Sequence, residues 1–321
     1  MSSYGVLQLQ YLLVMHLFSK PKRHGLDPKI RTMFSSAVLL LVWLILCSLL
    51  IAEEATAQSG WVRNKGETFT QLSVSSFQSD RYHNLEGEQL TTTDFAQHHL
   101  NFYAEYGITE RLSIIANWPF VRAHGFSSTE TIWGIGDLRV DAKYGFLQEV
   151  LPIAISFAME APIARPNRFA ENEDGLGSIN LPTGDGEWNF WSGIAISGSL
   201  DPLPAYINLS AGFNKRTSFE GQKFNDQWVA NAQFGYQFFQ KIWFQLSLGV
   251  QNTIGEPKGV VSFVRGDGTA FTQYGLNLSY ELNKAWGIGL QYYNNADFLV
   301  DRVNVYESPT LGISVFFQGQ L

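Results

Sequence analysis

Over one octet, ionisable side chains alternate with apolar ones: Asp137, Arg139, Asp141 and Lys143 hold the odd positions, and Leu138, Val140, Ala142 and Tyr144 the even ones. Such a row of opposed charges has two uses. Lining a pore, it sets a transverse field and sorts solutes by charge. Turned on themselves, the same four groups neutralise into a salt-bridged plug, and the octet alone leaves both readings open. Either use needs an element with a side-chain period of two. A strand has that period and a helix does not.

Other residues with chemical potential are weaker signals. A lipid hydrolase would need a nucleophilic serine within reach of a histidine held by a third polar group. Ser113 and His98 lie on neighbouring segments, but no motif surrounds them, and an interfacial polar pair accounts for them more simply. His99, Glu105 and Glu160 are too scattered to specify a metal. Gly134-Ile135-Gly136 lacks the following helix that a nucleotide-binding fingerprint requires. No cofactor is expected.

Stepping outward, charged residues make up 16% of the chain and aromatics 14%, with 29 glycines. The charged share is below the ordinary ~25%. The net charge of -7 argues against nucleic-acid binding, which wants a basic face. Residues 1–57 differ from the rest. Phe34 to Ala52 is an apolar run preceded by Lys20, Lys22, Arg23, Lys29 and Arg31 and followed by Ala55-Thr56-Ala57, which reads as a signal peptide and lead-in cleaved before Gln58. A retained anchor is the competing reading, and translation starting at Met15 or Met33 is equally compatible with the sequence. The sole cysteine, Cys47, falls inside this run, so cleavage leaves a chain without thiols. Residues 58–321 hold no apolar run of the roughly 20 residues that a membrane helix needs. Any crossing must be by strands.

The alternation recurs and predicts twelve strands: 66–78, 96–106, 112–121, 137–144, 153–163, 187–200, 205–215, 227–238, 242–252, 269–282, 286–295 and 309–317. The links after the second, fourth, sixth, eighth and tenth are short, and the others are long, reaching about twenty residues at 166–186. Short turns at one end and long loops at the other characterise a transmembrane antiparallel up-and-down β-barrel of the outer membrane. A soluble β-sandwich would turn its apolar face inward. Aromatics separate the two, because Trp118, Phe120, Trp188, Phe190 and Trp228 cluster toward the long loops and Tyr106, Tyr144, Phe146, Phe238, Tyr280 and Trp286 toward the short turns. Two belts at fixed depth suit a bilayer, and a soluble core gives no reason for them. The polar face then lines a lumen, with Gln97, His99, Glu105, Asp137, Arg139, Asp141, Lys143, Glu160, Gln233, Gln245 and Glu281 as its candidate pore-lining residues. Twelve strands make a narrow lumen, into which loop 166–186 is long enough to fold.

Three motifs carry a family resemblance. Trp133 to Tyr144 (WGIGDLRVDAKY) resembles the G-x-G-D-L-x-x-x-x-K-Y signature of the outer-membrane proteins named for a MetA pathway of phenol degradation. Leu181-Pro182-Thr183-Gly184-Asp185 resembles their L-P-T-G-D loop, and Gly107 to Leu112 their periplasmic turn. An acidic insertion, Glu171-Asn172-Glu173-Asp174-Gly175, departs from the pattern. Leu311, Ile313, Val315 and Phe317 look like an assembly signal, displaced four residues from the end. The resemblance implies a channel or passive transporter for small solutes, often hydrophobic or aromatic, and supplies no catalytic residue. The expected partners are outer-membrane lipids, a small-molecule solute and the barrel assembly machinery. A lipid-modifying enzyme and a non-conducting structural or adhesion barrel remain the alternatives.

Overall fold

In a computed structural model, which describes residues 59–256 and 266–320, twelve long strands form a closed antiparallel barrel. They are β1 (Glu67–His83), β2 (Gln89–Thr109), β3 (Leu112–Phe126), β4 (Leu138–Leu147), β5 (Ile153–Ala161), β6 (Asn189–Ser199), β7 (Ala205–Arg216), β8 (Gln227–Phe238), β9 (Ile242–Thr253), β10 (Phe271–Glu281), β11 (Trp286–Ala296) and β12 (Thr310–Gln320). Each pairs with its sequence neighbours, and β12 returns to β1 from Glu67↔Gln320 to Phe77↔Thr310. Closure leaves no sheet edge whose backbone groups would face hydrocarbon unpaired. The signal peptide reading for 1–57 falls outside the described residues.

The wall is inside out relative to a soluble core. Along β4, Val140, Ala142, Tyr144 and Phe146 are exposed outward, whereas Asp141, Lys143 and Gly145 are buried inward. The same alternation exposes Leu72 and Val74 on β1, Ile155, Phe157 and Met159 on β5, and Ile313 and Val315 on β12. Both aromatic belts are outward: Trp188, Phe190 and Trp228 at the long-loop end, and Tyr106, Tyr144, Phe146, Phe238, Tyr280 and Trp286 at the short-turn end.

Two elements differ from the sequence expectation. The segment after the first strand is not a loop: β1 continues to His83, β2 begins at Gln89, and Tyr82–His83 also pairs with Val305–Tyr306. The Thr91-Thr92-Thr93 run has high β propensity and favours this extension. On β3 the faces switch at Pro119, where Leu100↔Val121 and Phe102↔Trp118 leave two residues of β3 opposite one of β2. This is a β-bulge, and a proline, which has no N–H to give the ladder, is at home there. Beyond it Arg122 and His124 turn into the lumen.

At the long-loop end, Phe95, Ile132, Ala170, Leu181 and Tyr306 form a buried apolar cluster inside the barrel with Phe77, Tyr82 and Phe126 against it. Phe95 stacks on Tyr306 at 5.1 Å between centroids. Toward the short turns the interior mixes amides and charges with aromatics, Phe69 stacking on Phe316 and meeting Tyr103 edge-on. Replacing outward Leu246, midway between the belts, by Arg should cost about 2–4 kcal/mol of barrel stability, while Ser247→Asn on the inward face should cost far less; urea titration in lipid vesicles checks both.

Candidate pore lining

Three cavities follow one another down the lumen. An outer chamber of about 470 Å³ includes Gln97, His99, Arg122, Glu160, Trp191 and Arg216 in its wall. A middle space of about 260 Å³ shares His99, Arg122, Glu160 and Asp185 with it. An inner chamber of about 390 Å³ shares Asn117 and Arg139 with the middle one and adds Glu105, Asp141, Lys143, Gln233 and Gln245. Glu281 sits apart, at the short-turn rim, where it accepts a hydrogen bond from Trp243 Nε1 at 3.1 Å.

The octet's four charges do three different things. Arg139 donates twice to Asp141, at 3.0 and 2.7 Å, and its guanidinium also lies over the Trp191 ring, 4.8 Å from the centroid. Lys143 reaches past its own strand to Glu105 at 2.6 Å. It can do so because the residue opposite it on the intervening β3 is the small, fully buried Ser113. Arg63 adds a second cation to Glu105 at 3.6 Å. Both ends of the Lys143–Glu105 pair are nearly closed to solvent, a setting in which a charge left without its partner costs several kcal/mol. Asp137 serves the loop instead: its carboxylate accepts the backbone N–H groups of Ala164 and Asp185, each at 2.9 Å.

That loop, between β5 and β6, folds inward and is pinned from several sides. Arg122 donates to the Thr183 carbonyl at 3.0 Å, and His124 Nε2 contacts the Leu181 carbonyl at 3.1 Å. Leu181 is fully buried in the aromatic cluster. A side chain at Gly184 would put its Cβ 2.4 Å from the Asp137 carboxylate, and one at Gly134 would meet Thr183 at 2.7 Å. Gly134 and Gly184 are therefore where the two motifs touch. At the loop's end the buried Arg216 pairs with Glu187, lies near Asp185 and Asp267, and covers the Phe224 ring.

The short-turn mouth holds a strap formed by residues 59–65. Gly60 N donates to Ser197 Oγ at 2.7 Å, Val62 N to Gln148 Oε1 at 3.1 Å and Arg63 N to Ser113 Oγ at 2.9 Å. Gln148 Nε2 in turn donates to the Gly60 carbonyl at 2.8 Å. Trp61 meets the Tyr206 ring edge-on, 5.8 Å between centroids. Ser197 and Ser113 face inward, so the strap lies across the lumen and floors the inner chamber.

Arg122, His124, Arg216 and the strap are absent from the sequence-based residue set. Pro119 is the signal for the first two, since a proline within a strand marks a bulge and a change of face. Arg216 lies one residue past the predicted end of its strand. Nothing in the local pattern of 59–65 marks a strap. The Ser113 and His98 pair is taken apart: Ser113 is buried inside opposite Gly107, while His98 is exposed outside opposite Ala123.

No family model matches the chain. Among solved structures, an outer membrane channel from Pseudomonas putida F1 superimposes with a TM-score of 0.63 at 13% identity, over 84% of this chain and 100% of that one. A NanC porin gives 0.47 at 10% identity over 77% and 98%, and the Pseudomonas putida toluene transporter TodX gives 0.42 at 8% over 84% and 94%. These last two are too distant to bear on this chain.

Two outcomes follow from the anchors. A Cβ at Gly60 would lie 2.2 Å from the Pro152 carbonyl oxygen, so Gly60→Val should unseat the strap and raise single-channel conductance severalfold in planar bilayers. Burial, and then the Glu187 carboxylate, push the Asp185 carboxyl well above the usual range, against the pull of Arg216. An acid whose value is raised on docking favours the docked loop below its free value, near 3.9, and this preference is lost as pH rises through the raised one. Conductance should therefore fall on acidification from pH 8 to 4, and Asp185→Asn should flatten the profile. The likeness in three dimensions establishes the fold, that of an outer-membrane β-barrel.

Proposed function

We propose that this barrel is a passive outer-membrane channel for small solutes. The observation that carries it is the lumen itself: successive spaces of about 470, 260 and 390 Å³, joined by shared walls, where a plugged barrel would be packed solid. Gln97, His99, Glu105, Asp137, Arg139, Asp141, Lys143, Glu160, Gln233 and Gln245 are its pore lining, Asp137 also anchoring the loop, with Glu281 at the rim. Outer-membrane lipids cover the belts, and the alternating end of β12 is what the barrel assembly machinery reads.

The contact of the Gly134-Ile135-Gly136-Asp137 motif with Leu181-Pro182-Thr183-Gly184-Asp185 supports the resemblance to the phenol-degradation family, because these residues hold one another. Passage of hydrophobic or aromatic compounds rests on that resemblance, and the aromatic wall of the outer chamber (Phe77, Phe95, Phe271, Tyr306) is compatible with it. A lipid-modifying enzyme built on Ser113 and His98 is disfavoured, since opposite faces of the wall separate them.

Purified protein in planar bilayers should conduct, and solute-driven swelling of liposomes should accompany it; absence of both would overturn the channel. Arg139→Gln removes the cation that lines both the inner and middle cavities, and Asp141→Asn removes the carboxylate that neutralises it. Under a salt gradient the two variants should move the reversal potential in opposite directions, toward cation and anion preference respectively.

A further inference from the structure

The inner chamber combines three features that together select a ligand class. Its ions face one another: Lys143 and, at 3.6 Å, Arg63 share Glu105, and Arg139 holds Asp141. Its hydrogen-bonding groups are mostly carboxamides. On one side Asn208 donates to Gln233 at 2.8 Å while accepting from Ser197 at 2.6 Å, and Gln245 donates to Tyr206, so these amides are already oriented. On the other side Asn277 and Gln291 stand opposite each other across β10 and β11, and Asn277 Oδ1 and Gln291 Oε1 are buried with no hydrogen-bond donor in the protein. Gln291 is only 6% exposed. Its aromatics Trp61 and Tyr103 present flat apolar surface beside these amides, while Phe69 is stacked on Phe316 and covered by the Arg63 guanidinium.

Buried acceptors left without donors cost free energy, and an apolar occupant would leave them so. A charged occupant would have to compete with ion contacts already made, a cation for Glu105 and Asp141 and an anion for Lys143, Arg139 and Arg63. A ring bearing several hydroxyl groups meets both demands: its O–H groups donate to Asn277 and Gln291, its oxygens accept from amide N–H groups, and its C–H faces lie on the aromatic rings. We propose that the inner chamber is a binding station for an uncharged polyhydroxylated ring, a monosaccharide or cyclitol, on its way through the barrel. The cavity, about 390 Å³, lies within the range of small-molecule sites. The station rests on the channel reading only for how the ligand arrives.

Calorimetric titration of the full barrel in detergent with glucose and myo-inositol, beside cyclohexanol and glucuronate, tests the station; liposome swelling with the same solutes tests passage separately. Glucose and myo-inositol should bind saturably in the millimolar range, with cyclohexanol and glucuronate at least tenfold weaker. The double variant Asn277→Leu/Gln291→Leu should lose about tenfold in affinity. Trp61→Ala should weaken binding too, and it lies on the strap, where it spares the barrel wall. No saturable binding of either polyol overturns the station, as does equal or tighter binding of cyclohexanol or glucuronate, or unchanged affinity in both variants. Swelling without binding overturns the station and keeps the channel. Binding with neither swelling nor conductance keeps the station and overturns the channel.

Discussion

A backbone that crosses hydrocarbon must satisfy each N–H and C=O within the protein, and the pairing of β12 with β1 is how this chain does so. Closure fixes the rest. Once the sheet has no edge, the pleat divides every strand into a face solvated by lipid and a face solvated by whatever fills the lumen. Outward positions are then apolar over the height of the belts. Inward positions are released from hydrophobic selection and carry amides, hydroxyls and charges, as the buried Asp141, Lys143, Asn208, Arg216 and Gln291 show.

Polar freedom inside brings its own constraint, because a buried charge must be paired. The lumen meets it locally. Arg139 takes Asp141, Lys143 takes Glu105 and Arg216 takes Glu187, while Asp137 is satisfied by loop amides. Those pairings also do mechanical work, since the Asp137, Arg122 and Arg216 contacts hold an inward loop at the outer end. The strap at the other end is held by hydrogen bonds, by the Arg63–Glu105 contact and by two close backbone approaches, at Gly60 and Gly107. The passage is thus narrowed from both ends by segments that are not part of the wall.

How legible this was depends on how local the cause is. The twelve strands, their faces and both belts follow from a two-residue period, which each segment displays by itself. The period fails at Pro119, where one extra residue reverses the faces and brings in Arg122 and His124. It is also silent on Asp80 to His83, whose polar residues read as a loop until a paired β2 and the Val305–Tyr306 bridge hold them extended. The octet was legible as a lumen-facing row, but its partners were not: Glu105 lies more than thirty residues from Lys143 in the sequence, with only one strand between them across the sheet.

The amino-acid sequence by itself determined that the chain crosses a membrane as strands, which side chains meet lipid, and that the interior is polar, because burial against lipid acts on every residue independently of its distant neighbours. Only the tertiary structure decided which charges neutralise one another, that the two glycine motifs lock together, and that residues 59–65 floor the lumen. These are contacts between segments remote in the chain, and their energies depend on distances that exist only once the barrel has closed.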